Sequence, residues 1–228
     1  MLIKVAAAAL ALFLGGCAVK PQMPVMLDKQ TLGTQAGRVG VMMTALPKAD
    51  MFLPGADCLL CYAVASASNA TLSKYASTLP NDDVAQLKNQ LAQRLRAKGT
   101  DAVVIEEELN LDALPSRTEE SVNGAKKDFS QLRQKYNVDR LLVVGIERMG
   151  IERYYSGYIS NGDPKGVFRG AGYLVNLKTN TYEWYEPISI LRAADGYWDE
   201  PPKFPGLTNA YFQAMETGKD LLLKPLQD

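Results

Sequence analysis

The residues Tyr173-Leu-Val-Asn-Leu-Lys-Thr-Asn-Thr-Tyr-Glu-Trp184 decide the fold. Large apolar side chains recur at every second position before Lys178-Thr-Asn-Thr181 and again after it, and a period of two is that of a strand. Read outward, the pattern gives two antiparallel strands, Val167 to Leu177 and Thr181 to Leu191. Tyr173, Val175 and Leu177 share one face of the first strand, and Tyr182 and Trp184 share one face of the second.

Upstream of this hairpin the chain reads differently. Arg38-Val-Gly-Val-Met-Met-Thr44 and Arg140-Leu-Leu-Val-Val-Gly-Ile146 are nearly unbroken apolar runs, as expected of strands buried on both faces, and Asp101-Ala-Val-Val-Ile-Glu106 is a third strand. Helices lie between them. Asp57 caps a helix expected over residues 58–78. A second helix starts at Asn81 or Asp82, places Val84, Leu87, Leu91 and Leu95 on one stripe, and stops at Lys98-Gly99. A third runs from about Asn123, with Phe129, Leu132 and Tyr136 on one face. A last helix spans Thr208 to Leu223. This order implies an α/β fold: a mixed sheet with parallel strand–helix–strand crossovers, an antiparallel C-terminal hairpin, and helices packed on the sheet. Pro47, Pro54 and Gly55 break the chain after the first strand. The segment Asp195-Gly-Tyr-Trp-Asp-Glu-Pro-Pro202 is too rich in Gly and Pro for regular structure.

At the N-terminus, Lys4 precedes an apolar and small-residue run from Val5 to Gly16, too short to cross a bilayer. The run ends in Leu14-Gly15-Gly16-Cys17. This resembles the signal of bacterial lipoproteins. The resemblance implies cleavage after residue 16, acylation of Cys17, and a mature protein anchored to a membrane by lipid. Ala18 and Val19, with no Asp after the Cys, point to the periplasmic face of the outer membrane. Residues 17–37, with Pro21, Pro24, Gly33 and Gly37, read as the lipidated N-terminus and a flexible tether. Residues 38–228 then form the periplasmic domain.

Composition excludes several function classes. The chain has 25 basic and 25 acidic residues, and a near-neutral domain argues against nucleic-acid binding. It has no histidine, which removes the commonest general base and metal ligand. Neither an enzyme nor a cofactor or metal site is expected. Cys58-Leu-Leu-Cys61 reads as a structural disulfide, as a pair of buried thiols, or as a thiol–disulfide redox pair at a helix start. Glu106-Glu-Glu108 and Asp199-Glu200 read as solvated charge. Gly166, Gly170 and Gly172 precede no helix and so make no phosphate loop; they mark bulges or close approach. Tyr154, Tyr155, Tyr158, Tyr197 and Trp198 stand among polar residues in turn regions and are the candidate partner-binding residues.

The element order and the hairpin, Tyr173 to Trp184, are similar to those of periplasmic lipoproteins of the curli-secretion-channel and penicillin-binding-protein-activator type, over roughly residues 38–192. Asn180 stands where that pattern usually has Gly; Asn also tolerates left-handed backbone. The resemblance brings no catalytic residues. It implies a domain that acts through protein–protein contact, with an envelope protein or its own copies as partner, an oligomeric secretion-channel component being one form of this.

Overall fold

The computed structural model describes residues 21–118 and 121–227. The expected signal segment, residues 1–16, and Cys17 lie outside the described residues. The fold is a mixed α/β sheet built on the long strand Arg140–Glu152 (β4). On one edge its first half pairs in parallel with Arg38–Met43 (β1), and its last three residues pair in parallel with Asp50–Phe52 (β2). On the other edge its whole length pairs antiparallel with Lys165–Asn176 (β7). Asp101–Val104 (β3) extends the sheet beyond β1, and Thr181–Ala193 (β8) extends it beyond β7. Two further short strands, Tyr155–Ser156 (β5) and Ile159–Ser160 (β6), form a separate hairpin.

Both faces of this sheet are covered. Along β4, Leu142, Val144, Ile146, Met149 and Ile151 enter one core, while Leu141 and Val143 enter the other. The shift from even to odd numbers comes from a bulge between Ile146 and Arg148, where one extra residue turns the alternation over. The first core is closed by the helices Asp82–Ala85 (α3), Leu87–Ala97 (α4) and Pro205–Leu223 (α6), through Val84, Leu87, Leu91, Leu95, Leu207, Tyr211 and Met215. Gly166 permits close docking of α6, since a Cβ there would sit 2.5 Å from the backbone at Ala210 and Tyr211. The second core is covered by Ser130–Tyr136 (α5) and by Leu109, Leu114 and Phe129.

Four sequence expectations are revised. Tyr182 and Trp184 do not share a face. Val175 stands opposite Tyr182 and Leu174 opposite Trp184, so Glu183 is bulged out; Trp184 joins the first core and Tyr182 the second. The helix expected over residues 58–78 is two, Leu59–Ser68 (α1) and Ala70–Ala76 (α2). They divide at buried Asn69, whose Nδ2 donates to the Ala65 carbonyl at 2.7 Å and competes with the helical backbone pattern. The helix expected from Asn123 starts only at Ser130. Residues before it are tied to the β7–β8 turn: Tyr182 N–H donates to Asn123, Ala125 N–H donates to Asn180, and Gly124 bridges Thr181. The last helix starts at Pro205, whose fixed φ suits the first helical position. Thr208 lies inside it.

The expected tether is bound to the domain from Val25 onward. Val25 and Tyr185 exchange two backbone hydrogen bonds of 2.9 Å on the outer edge of β8, and Leu32 and Ala36 are buried in the first core. Arg140 holds this segment from beneath, donating to the Ala36 carbonyl and pairing with Glu183 at 2.5 Å. Beyond Tyr185 the ladder with β7 stays in register, so Pro187 occupies the next position whose N–H would face outward. Proline has none, and the edge is blunted there.

Asn180 is the joint of the second core. It is buried with φ +55°, its Oδ1 accepts from Phe129 N–H at 2.8 Å, and its Nδ2 donates to the Lys127 carbonyl at 2.9 Å. Asn180→Ala should lower the unfolding free energy by about 3 kcal/mol in urea titrations, and Asn180→Gly by less, because Gly keeps the backbone and loses only the side-chain bonds. Above it, Tyr173, Tyr182 and Tyr185 meet with ring centroids 5.1 to 6.0 Å apart. Burial pushes the phenol of Tyr173 far up and that of Tyr182 up to about 12. These groups are acids favoured in neutral form by folding. Their stabilisation is complete below the ordinary value of about 10 and is lost as pH rises through the folded value. Phenolate absorbance should therefore show a class of tyrosines that ionises only above the ordinary range, together with unfolding.

Candidate functional site

Helix α1 has an unusual surface. From Cys58 to Ser73 the chain carries no charge, yet only Cys61 and Ala65 of α1 are buried. Leu59 is 90% exposed, Leu60 62% and Tyr62 56%. Leu and Ala favour the helix, and Cys58 caps it, its Sγ accepting from Cys61 N–H at 2.9 Å. Cys58 and Cys61 are joined by a disulfide. Cys58 is exposed and Cys61 buried.

The β5–β6 hairpin sits against this helix. Its turn contains Gly157 at φ +62°, where a Cβ would lie 3.8 Å from Cys61 Sγ. Gly55 supports it from below: Gly157 N–H donates to Gly55, Tyr155 N–H donates to Pro54, and any side chain at Gly55 would strike the Tyr155 carbonyl. The hairpin presents Tyr158 and Ile159 to solvent, the latter 71% exposed.

Four of the five aromatic candidates are exposed or half-buried, and one is corrected. Tyr155 is buried with Ala56, Cys61 and Ala65, and its hydroxyl accepts from Asn69 Nδ2 at 2.6 Å. Alternation explains it: in the two-residue strand β5 Ser156 points outward and Tyr155 points in. Tyr154, Tyr158 and Tyr197 are exposed. Trp198 is half-buried, stacked on Phe204 and covered by the Arg153 guanidinium 5.2 Å from its ring. Leu59, Leu60, Tyr62 and Ile159 belong to the same surface and were absent from the sequence candidates. Their signal was a helix with no polar face at all, a pattern that usually means full burial.

Charged groups nearby are paired. Glu152 is fully buried at the end of β4; Arg169 donates to its Oε1 at 2.7 Å, and Arg148 approaches its Oε2 at 3.7 Å. The acidic run is dispersed: Glu106 pairs with Lys88, while Glu107 accepts from Lys135 and from the Tyr136 hydroxyl. Those two bonds hold the Glu107 carboxyl below its usual range. Asp199 and Glu200 rim an open cleft of about 610 Å³ whose floor includes Tyr75 and Phe204. Among the described residues no cluster of three metal-ligating side chains occurs.

No protein-family model and no curated protein matches the chain. Among solved structures it is similar to the PelC dodecamer from Paraburkholderia phytofirmans, at 12% identity and TM-score 0.37, with 90% of this chain and 95% of that chain covered. It is similar to protein XCC0632 from Xanthomonas campestris, at 10% identity and TM-score 0.38, covering 90% and 92%. Lipoprotein GNA1162 from Neisseria meningitidis matches at 12% identity and TM-score 0.28, covering 79% and 96%. These are likenesses of general outline.

The inward and outward tyrosines should behave differently. Tyr155→Ala should destabilise the protein by about 3 kcal/mol, through a cavity and the loss of one of the two acceptors of the Asn69 amide, whereas Tyr158→Ala should change thermal or urea stability by no more than about 0.5 kcal/mol. Cys58→Ser opens a short loop, worth up to about 2 kcal/mol. Hydrogen exchange should rise first in α1 and leave β4 protected.

Proposed function

We propose that this protein is a lipid-anchored component of the bacterial cell envelope that works by surface contact and carries out no reaction. The observation that carries this reading is the exposed, charge-free face of α1 with the Tyr158–Ile159 hairpin seated against it. Apolar surface of this extent is costly in water, and a chain keeps it where something covers it. The surface is held by a disulfide, by Gly55 and by the buried Tyr155–Asn69 bond, so it is presented in one conformation. Preformed surfaces bind without an ordering cost.

The sequence around Cys17 supports the membrane part of the reading, with an apolar run ending in Leu14-Gly15-Gly16. Two or more acyl chains give stable anchoring, each buried methylene contributing about 0.8 kcal/mol. Mass spectrometry of the protein extracted from membranes tests this directly. The expected N-terminus is Cys17 carrying a thioether-linked diacylglyceryl group and an amide-linked acyl chain. An unmodified Cys17 thiol with residues 1–16 still attached would overturn it.

A further inference from the structure

The direction of the chain upstream of β8 says what covers the apolar end. Val25 pairs antiparallel with Tyr185, so residues before it head toward higher numbers on β8. The far end of β8, Ala193, stands opposite Lys165, and Lys165 stands opposite Glu152. Glu152 immediately precedes the hairpin that rests on α1. The chain upstream of Val25 is thus aimed at the end of the sheet where the apolar surface lies. Cys17 is eight positions from Val25 in sequence, so the chain can place the anchor no more than about 29 Å from Val25.

We infer that the apolar end, α1 with the β5–β6 hairpin, is seated in the interfacial layer of the same bilayer that holds the anchor. This inference rests on the reading of Cys17 as acylated. The chemistry of the surface fits a membrane interface. Helix α1 is about 15 Å long, half the thickness of a hydrocarbon core, and it lies on the bilayer without spanning it. Among the described residues no helix is long and apolar enough to cross. Leu59, Leu60 and Ile159 supply the buried apolar contact. Tyr62, Tyr154, Tyr158 and Tyr197 add exposed rings that have one apolar and one hydrogen-bonding end, the residue type that collects at headgroup level. The exposed charges that flank these segments in the chain are of both signs, Asp57 and Asp163 with Lys74 and Lys165, so the contact is apolar and independent of anionic lipid. A short anchor aimed at the same end also keeps the surface at high effective concentration over the bilayer, which no soluble partner shares.

The test uses the mature, acylated protein in vesicles of phosphatidylethanolamine and phosphatidylglycerol, part of whose acyl chains are brominated. Leu60→Trp and Ile159→Trp are made in a Trp198→Phe background, with Val122→Trp, beside the β7–β8 turn at the opposite end, as control. Emission from Leu60→Trp and Ile159→Trp should be quenched several-fold more than from Val122→Trp, and raised salt should not relieve it. The unaltered chain reports the same way through half-buried Trp198 against core Trp184. Protein that floats with the vesicles but shows equal quenching at all positions overturns the inference and leaves the anchor standing. Crosslinking of two copies through α1 under those conditions would assign the surface to self-association instead. Protein that does not float and carries no acyl mass removes the anchor reading, and this inference with it.

Discussion

Strand β4 must satisfy backbone donors and acceptors along both of its edges where no water reaches, and the rest of the structure answers that obligation. Thirteen consecutive residues cannot be served by one short neighbour. On one side β1 and β2 divide the task, both in parallel, and on the other β7 covers the full length in the opposite sense. Parallel partners need crossovers, and the crossover helices are shared between the faces, α4 on the first and α5 on the second. The antiparallel partner β7 returns by way of the β5–β6 hairpin, and the tight turn at Asn180 then adds β8 on its far side. A buried amide left without a partner costs on the order of the whole net gain of several hydrogen bonds, so this pairing pattern sets the topology.

Packing then tightens around that frame. The two cores lie on opposite faces of β4 and depend on different chemistry. The first carries Phe168, Trp184 and Tyr211 among many aliphatic side chains and is compressed by α6 lying directly on Gly166. The second is aromatic and polar-edged, with three tyrosines and the Asn180 side chain joining loop backbone to the turn. Arg140 couples them: it reaches Glu183, the residue bulged out of β8, and the carbonyl of Ala36 in the N-terminal segment. The segment from Val25 to Ala36 is therefore part of the folded body, and any force on the N-terminus is delivered to the edge of β8.

Much of this was legible in the sequence where the signal is local. The period of two on either side of Lys178-Thr-Asn-Thr181 marked the hairpin, and the Leu87, Leu91, Leu95 stripe marked α4. The bulge at Glu183 was not legible, because a run of alternating residues looks the same whether or not one position slips. Strand β2 was missed since three residues carry no period. The helix expected from Asn123 failed because long-range bonds to the β7–β8 turn outcompete local propensity there. Four of the aromatic candidates are exposed or half-buried, while Tyr155 turned inward by parity. The outward leucines of α1 were hidden by the habit of reading an apolar helix as core.

Pro187 has a consequence for the order in which the chain folds. The β7–β8 hairpin is the most sequence-local pairing in the sheet, and such contacts close before distant ones. A freshly closed hairpin with a free edge thirteen residues long is a template for another unfolded chain. With one outward donor missing near its middle, that edge cannot be copied in full. Premature strand recruitment is interrupted until Val25 arrives to occupy the place beside Tyr185.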